Sequence, residues 1–424
     1  MLRLFFIYIF FLTYSLNSFA EKVDVVWSGF SINADFSDLK ISAKYTAQLI
    51  ERYKGKKNII DETLRNFLKS NSFNNINILL NTEGISDETS KIAMSIFLDQ
   101  EIFEEFRLPD EDCKKINLNE CYIYNISNYY QLIFFDFKKM TYIKAVPFQS
   151  IYISDPLPKL NEEQKTDLLI ESYKNVAWLK GDQNNQSENN NLTFLDIIET
   201  IELNQFYDFY LGINPNDNGF VINSEKIKDL VPDYMYSNTS LLKRHIANTF
   251  LGEIALKHNV VIVPYYEGYG IGNTLKKKYL DKNEVYSLTI PDPTYYIDIT
   301  LRGFVKKEYK KDSNVKDLTW WIYGAGINLR FYEPLLEKEY LNIKLTKANY
   351  KKIPDVLKLT KINDFLNKIN LTYKPLAIEF SNILNSDFKN ENDKKWLEKV
   401  TKNTCKSKEI IEFKKFLNKI ASTK

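Results

Sequence analysis

The chain is poor in the residue types from which metal and nucleotide sites are built, with only 2 His, 3 Cys and 13 Gly among 424 residues. A zinc centre needs several Cys or His ligands at close spacing, and this set does not furnish the usual composition. Scarce glycine leaves little for loops that cradle phosphate. The cluster Gly268-Tyr269-Gly270-Ile271-Gly272 brings its third glycine one residue early for a dinucleotide fingerprint, and no Lys-Ser/Thr pair follows it. It reads as a surface loop. Charge of one sign is also lacking: 57 basic residues face 55 acidic ones, for a net charge of +2. That balance lacks the electrostatic footprint of a nucleic-acid binder. Beyond the N-terminus no run of 18 uninterrupted apolar residues occurs, so no later membrane helix is expected.

Hydrophobic residues make up 44% and charged residues 26%, the balance of a globular protein. The length suits two or three domains. The first 20 residues carry Arg3, the apolar run Leu4 to Leu12, and Ser18-Phe19-Ala20. A basic start, a short greasy stretch and small residues before a cut are the requirements of translocation and signal peptidase. Cleavage after Ala20 is expected, leaving a periplasmic or secreted protein without a membrane span. The alternative, a retained anchor helix, has an apolar core short of the ~20 residues that cross a bilayer.

The apolar pattern sets the expected organisation. A first α/β domain over 21–160 holds strands at Val23–Phe30 and Ile76–Leu80, helices at Ile41–Tyr53 and Ile60–Leu68, and a hairpin of Leu132–Phe137 with Tyr142–Val146. Pro147, Pro156 and Pro158 punctuate its end. A helix and an Asn-rich linker fill 161–193. A second α/β domain over 194–350 contains a helix within Leu241–Val263 and two alternating β runs, Tyr295–Phe304 and Trp320–Phe331, joined by the charged stretch Lys306–Asp317. The region 351–424 is expected to be helical, with helices at Ile353–Ile369, Lys394–Val400 and Lys406–Ile420. The stripe Ile410, Phe413, Leu417 and Ile420 is expected to dock on its own domain. The fold class is thus α/β in the broad, α+β sense: two mixed-sheet domains with long antiparallel hairpins, plus C-terminal helices.

The helix, the short strand ending Val263-Pro264, and the hairpin opening Tyr295-Tyr296-Ile297-Asp298-Ile299-Thr300-Leu301-Arg302-Gly303-Phe304 resemble, in layout, bacterial envelope proteins with a TolB N-terminal-like or curli-secretion-type α/β domain. The resemblance spans at most Leu241 to Leu345 and implies a role in an envelope assembly. The chain departs from that pattern in having no lipidated Cys and no strong helix between Val263 and Tyr295.

Four groups of residues are candidates for chemistry. Cys113 and Cys121 lie close in a polar loop; an oxidising compartment would join them, and two unrelated thiols are the alternative. Asn214, Asn216, Asn218 and Glu225 fall at positions 1, 3, 5 and 12 of a calcium-loop spacing with Gly219 at position 6. The competing reading is an ordinary Asn/Gly turn. His245 and His258 have no nucleophile and carboxylate in local sequence. Tyr265, Tyr266, Trp320 and Trp321 are candidate recognition aromatics, and in each adjacent pair on a strand one side chain is expected buried and the other exposed. The expected function is therefore non-catalytic: a binding or assembly component of a bacterial cell envelope with envelope proteins as partners. A periplasmic hydrolase assembled from distant residues and a calcium-stabilised surface protein are the alternatives.

Overall fold

A computed structural model describes residues 22–33, 36–53, 59–80, 92–175, 179, 193–201, 203, 210–215, 239–258, 260–265, 274–279, 285–313, 318–355, 364–365, 368–401 and 404–422. Residues 1–21, 180–192 and 216–238 are among those outside them.

In chain order the strands are β1 Val23–Asn33, β2 Ile76–Leu79, β3 Ile92–Arg107, β4 Tyr122–Asp136, β5 Thr141–Ile153, β6 Leu211–Pro215, β7 Ile262–Val263, β8 Thr274–Tyr279, β9 Val285–Thr289, β10 Tyr295–Lys311, β11 Leu318–Glu333 and β12 Lys338–Pro354. The first sheet has the order β2-β1-β3-β4-β5-β9-β8. It turns back on itself, because β8 also pairs with β1 through Ser31↔Tyr279. Its narrowest seam is the single pair Thr141↔Thr289 between β5 and β9.

Alternation along β1 feeds two buried layers. Val25 and Trp27 enter the layer under the first helices, whereas Val26 enters the layer shared with Phe97, Tyr286 and Leu288. A bulge between Trp27 and Gly29 then shifts the parity, so that Phe30 and Ile32 return to the helix-covered layer. Gly29 sits there at φ 122°, a conformation open to glycine and costly for other residues.

Five helices carry the covering layer of this sheet: α1 Phe36–Ser42, α2 Lys44–Arg52, α3 Ile59–Ser70, α5 Glu162–Lys174 and α6 Phe194–Thr200, with α4 Asp110–Lys115 in the β3–β4 connection. Ile41–Tyr53 is not one helix, as the spacing predicts, but two, broken at Ala43. Ala43 has no side chain to cap α2, and the buried Glu101 carboxylate of β3 accepts from Tyr45 N at 2.8 Å and Thr46 N at 3.1 Å instead. Two orphan donors of a helix start are thereby satisfied from across the sheet. Local capping boxes, Asn161 with Gln164 and Thr193 with Asp196, start α5 and α6.

The second sheet runs β12-β11-β10-β6-β7. The expected hairpin forms, with Ile297↔Phe331 and Ile299↔Leu329 in register, but β10 continues through Lys306–Lys311 instead of entering a connector. Cross-strand rings and lysine stems make the charged stretch a usable strand surface. The sheet buries one face against α7 Thr239–Lys257, α8 Lys374–Asn385 and α10 Ser407–Ser422, with α9 Glu391–Thr401 between the last two. Ile246, Phe250 and Ile254 of α7, Phe380 and Leu384 of α8, and Ile410, Phe413, Leu417 and Ile420 of α10 join Ile297, Ile327, Leu329 and Ile343 in this core. The last helix therefore docks on the domain beside it.

Two further expectations give way. Ile353 lies in the long strand β12, paired with Thr319, so no helix begins there; residues 356–363 lie outside the described residues, and helical residues 364–365 and 368 precede the π turn Ile369–Tyr373 leading into α8. Pro147 is no boundary, since it lies inside β5 opposite Gln131, beyond the Thr141 contact with β9. Among the described residues a strand pairs on only one side there, so the missing N–H leaves no second ladder incomplete.

Candidate functional site

The three longest strands of the second sheet place an aromatic and lysine-rich face at one end. Their registers set Lys310, Trp320 and Lys352 abreast in one row and Lys307, Ile322 and Tyr350 in the next. Residues opposite each other across antiparallel strands share a face. Between Glu308 and Lys310 a bulge inserts Tyr309. Its ring reaches over β11 to Tyr350, with centroids 5.2 Å apart. Lys352 Nζ lies 4.4 Å and Lys310 Nζ 5.5 Å from the Trp320 ring, distances of cation–π contact. Trp320 Nε1 donates to Asp312 Oδ2 at 2.8 Å, and Asp312 also pairs with Lys352 at 3.5 Å. These contacts hold the indole in place between the two lysines. Val305, Tyr309 and Tyr350 remain 57%, 55% and 55% exposed. Lys307, Lys310 and Lys352 outweigh Asp312, so the face combines rings with a surplus of positive charge.

Trp320 and Trp321 do point to opposite faces, but both are half-buried. Trp320 is covered by its two lysines, and Trp321 by Lys306 at 4.7 Å on the other side. Tyr265 packs on the second core, away from this face, and Tyr266 lies outside the described residues. The structure joins Cys113 and Cys121 in a disulfide with Cα atoms 5.4 Å apart, closing the turn after β3. Of the calcium-loop candidates, Asn214 is a residue of β6 in register with Asp298, while Asn216, Asn218 and Glu225 lie outside the described residues. Among the described residues no three His, Cys, Asp or Glu side chains converge as metal ligands. No described helix is long and apolar enough to cross a membrane.

A second site lies where the two sheets meet. A small cleft opens between Tyr129, Tyr130, Pro147 and Phe148 of the first sheet, Asn248, Gly252 and Glu253 of α7, and Ile369, Asn370 and Lys374 at and after the π turn. Burial lowers the Lys374 ammonium to about 8 against the opposing pull of Glu253. Glu253 is itself buried and pairs with Lys257 at 2.8 Å. Asn248 donates from Nδ2 to Asp99 at 2.5 Å, and its buried Oδ1 has no partner.

Behind the cleft, Arg244 Nη1 meets Asp99 at 3.1 Å, both side chains being almost fully buried. Lys277 of β8 completes the group, its Nζ 2.8 Å from the centre of the Phe97 ring. Burial holds Lys277 well below the ordinary lysine range, with Asp99 pulling the other way. Asp99 and Lys277 belong to the first sheet and Arg244 and Asn248 to α7, so this polar group ties the two layers together.

The histidines are structural. His245 is wedged between Tyr129, at 4.6 Å between centroids, and Phe365, at 5.8 Å. Burial lowers it to about 4. His258 Nε2 bonds Ser381 Oγ at 3.0 Å, but Ser381 is fully buried and offers no path to a substrate. Burial, then Lys257 and Lys414, lower His258 to about 4, so it is neutral at pH 7 and does not act as a charged partner for the C-terminus of α7. The sequence alone brings out Trp320 and Trp321, but not Tyr309, Tyr350 or the lysines beside them. For the cleft, Gly252 inside an otherwise helical pattern is the available signal.

No family model matches the chain, and no curated protein matches it in sequence. Among solved structures, a homolog of neuraminyllactose-binding hemagglutinin from Helicobacter pylori is similar at 12% identity over 37% of this chain and 80% of that chain. The TM-score is 0.18, which carries no conclusion about fold or ligand.

Proposed function

We propose that the chain is an exported, non-catalytic binding component of a bacterial cell envelope, and that it engages an anionic envelope partner through the outer face of β10, β11 and β12. The observation that carries this reading is the exposed pair Tyr309 and Tyr350 beside the half-buried Trp320, flanked by Lys307, Lys310 and Lys352. Rigid rings supply contact area at small entropy cost, and surplus ammonium groups select negative surfaces and speed encounter. The Arg3 to Ala20 leader and the layout likeness to envelope assembly domains favour the same compartment.

The full-length protein, expressed in a Gram-negative host, should be recovered from the periplasm with Glu21 as its first residue. Intact Met1 on cytosolic material would exclude export. Partners captured from envelope extract by the parent protein should be lost with Lys310→Glu/Lys352→Glu, and their binding should weaken as salt is raised. Equal capture by parent and variant would remove the face from the reading.

A further inference from the structure

The strand β12 closes the second sheet on one side and, among the described residues, pairs with β11 alone. Its register runs without a slip from Leu341 to Pro354, so successive residues alternate between turning their N–H and C=O toward β11 and away from it. Two contacts fix the phase. The Leu345 and Lys347 carbonyls lie beside Gly326 and Gly324 of β11, respectively, whereas Lys344 N points the other way and donates to Thr404 Oγ1 at 3.3 Å. The even-numbered residues therefore face the edge. Thr404 covers it at Lys344; further along, Thr346, Ala348, Tyr350 and Lys352 present their backbone groups, and the last three are exposed. Between Lys344 and Ile353 the strand has neither the bulge nor the proline that commonly blunts a sheet edge.

Charge selects the occupant. A second copy paired antiparallel about Ala348 would set each Lys344 opposite a Lys352, and like charges directly opposite are destabilising. The same lysines favour a strand of opposite sign. Side chains of the even-numbered residues also continue the outer face, so an added strand would extend the rows of Lys310, Trp320 and Lys352 and of Lys307, Ile322 and Tyr350. Tyr350, 55% exposed, then becomes a cross-strand contact for an apolar side chain. We infer that an extended acidic segment of a protein partner adds to this sheet as a strand along Thr346–Lys352. Backbone hydrogen bonds supply the affinity, and carboxylates abreast of Lys352 and Lys344 supply the choice of partner. This rests on the outer-face contact proposed above and gives it a partner class and a mode.

The test is calorimetric titration of the full-length protein at pH 7 with the peptide acetyl-Glu-Thr-Val-Thr-Val-Thr-Val-Thr-Glu-amide. Two further versions serve as controls, one with Lys for both Glu and one N-methylated at the valines, whose N–H groups would face β12. One acidic peptide should bind per chain, about tenfold or more tighter than either control. Ala348→Pro removes an N–H that faces the edge and not β11, a change that edge strands tolerate, and should weaken the acidic peptide by about tenfold with the melting temperature little changed. Lys344→Glu/Lys352→Glu should reverse the preference between acidic and basic peptides. The inference fails if the acidic peptide does not bind, if either control binds equally well, or if sedimentation shows a dimer that Ala348→Pro dissociates, which would make a second copy the occupant. Envelope capture lost with Lys310→Glu/Lys352→Glu but kept by Ala348→Pro would overturn strand addition while leaving the outer-face contact intact.

Discussion

His245 should make the protein acid-sensitive by an amount that the structure allows to be worked out. Its ring is buried between Tyr129 and Phe365, its Nε2 has no partner, and burial lowers it from the ordinary 6.5 to about 4. Between those two values the unfolded chain binds a proton that the folded chain refuses. Stability from this residue is therefore full above pH 6.5, falls as pH drops through that value, and levels off below pH 4. At pH 4.5 the loss relative to pH 7.5 comes to about 2.5 kcal/mol. The assay is urea denaturation followed by tryptophan fluorescence at both pH values, for the parent and for His245→Leu, which keeps an apolar body in the slot. Other titrating groups, His258 among them, act equally in the two proteins and cancel in the difference. The variant should lose about 2.5 kcal/mol less than the parent on acidification. Equal losses would refute the reading that His245 is held neutral by burial.

Lys277 follows the same linkage at higher pH. Its folded form disfavours the proton, so the parent should gain stability as pH rises toward the ordinary lysine value near 10.4, and Lys277→Met should lack that gain. Near pH 7 the methionine variant is expected to be more stable by about 1–2 kcal/mol, with Asp99 still held by Arg244 and Asn248. Calorimetric melting across pH 7–10 checks both the sign and the narrowing gap. Reduction of Cys113–Cys121, whose partners are 8 apart in sequence, should cost about 2.5 kcal/mol in the chain-entropy account. Denaturation with and without reductant measures it, and the double variant Cys113→Ala/Cys121→Ala should match the reduced protein.

Much of the second sheet was legible because one face of a strand must be apolar when helices cover it. Tyr295, Ile297, Ile299 and Leu301 announce β10, and Trp321, Tyr323, Ala325 and Ile327 announce β11. The stripe of α10 was legible for the same reason at helical period. The break at Ala43 was not, since its compensation is Glu101, a carboxylate 55 or more residues away on β3. Nor was β12, where Lys347 and Lys351 fall on the phase of Leu341, Ile343 and Leu345 and interrupt the apolar alternation.

The sequence by itself determined what depends on neighbours in the chain: the leader pattern, the periods of strands and helices, and the shortage of metal and nucleotide ligands. Tertiary structure alone decided which distant groups meet. Thr274–Tyr279 returns to pair with β1, Asp99 finds Arg244 and Lys277, and Tyr309 crosses a strand to reach Tyr350. The reason is physical: period and propensity are properties of a few consecutive residues, whereas a cleft or a charged aromatic face exists only once sheet register and helix docking have set separations between segments far apart in the chain.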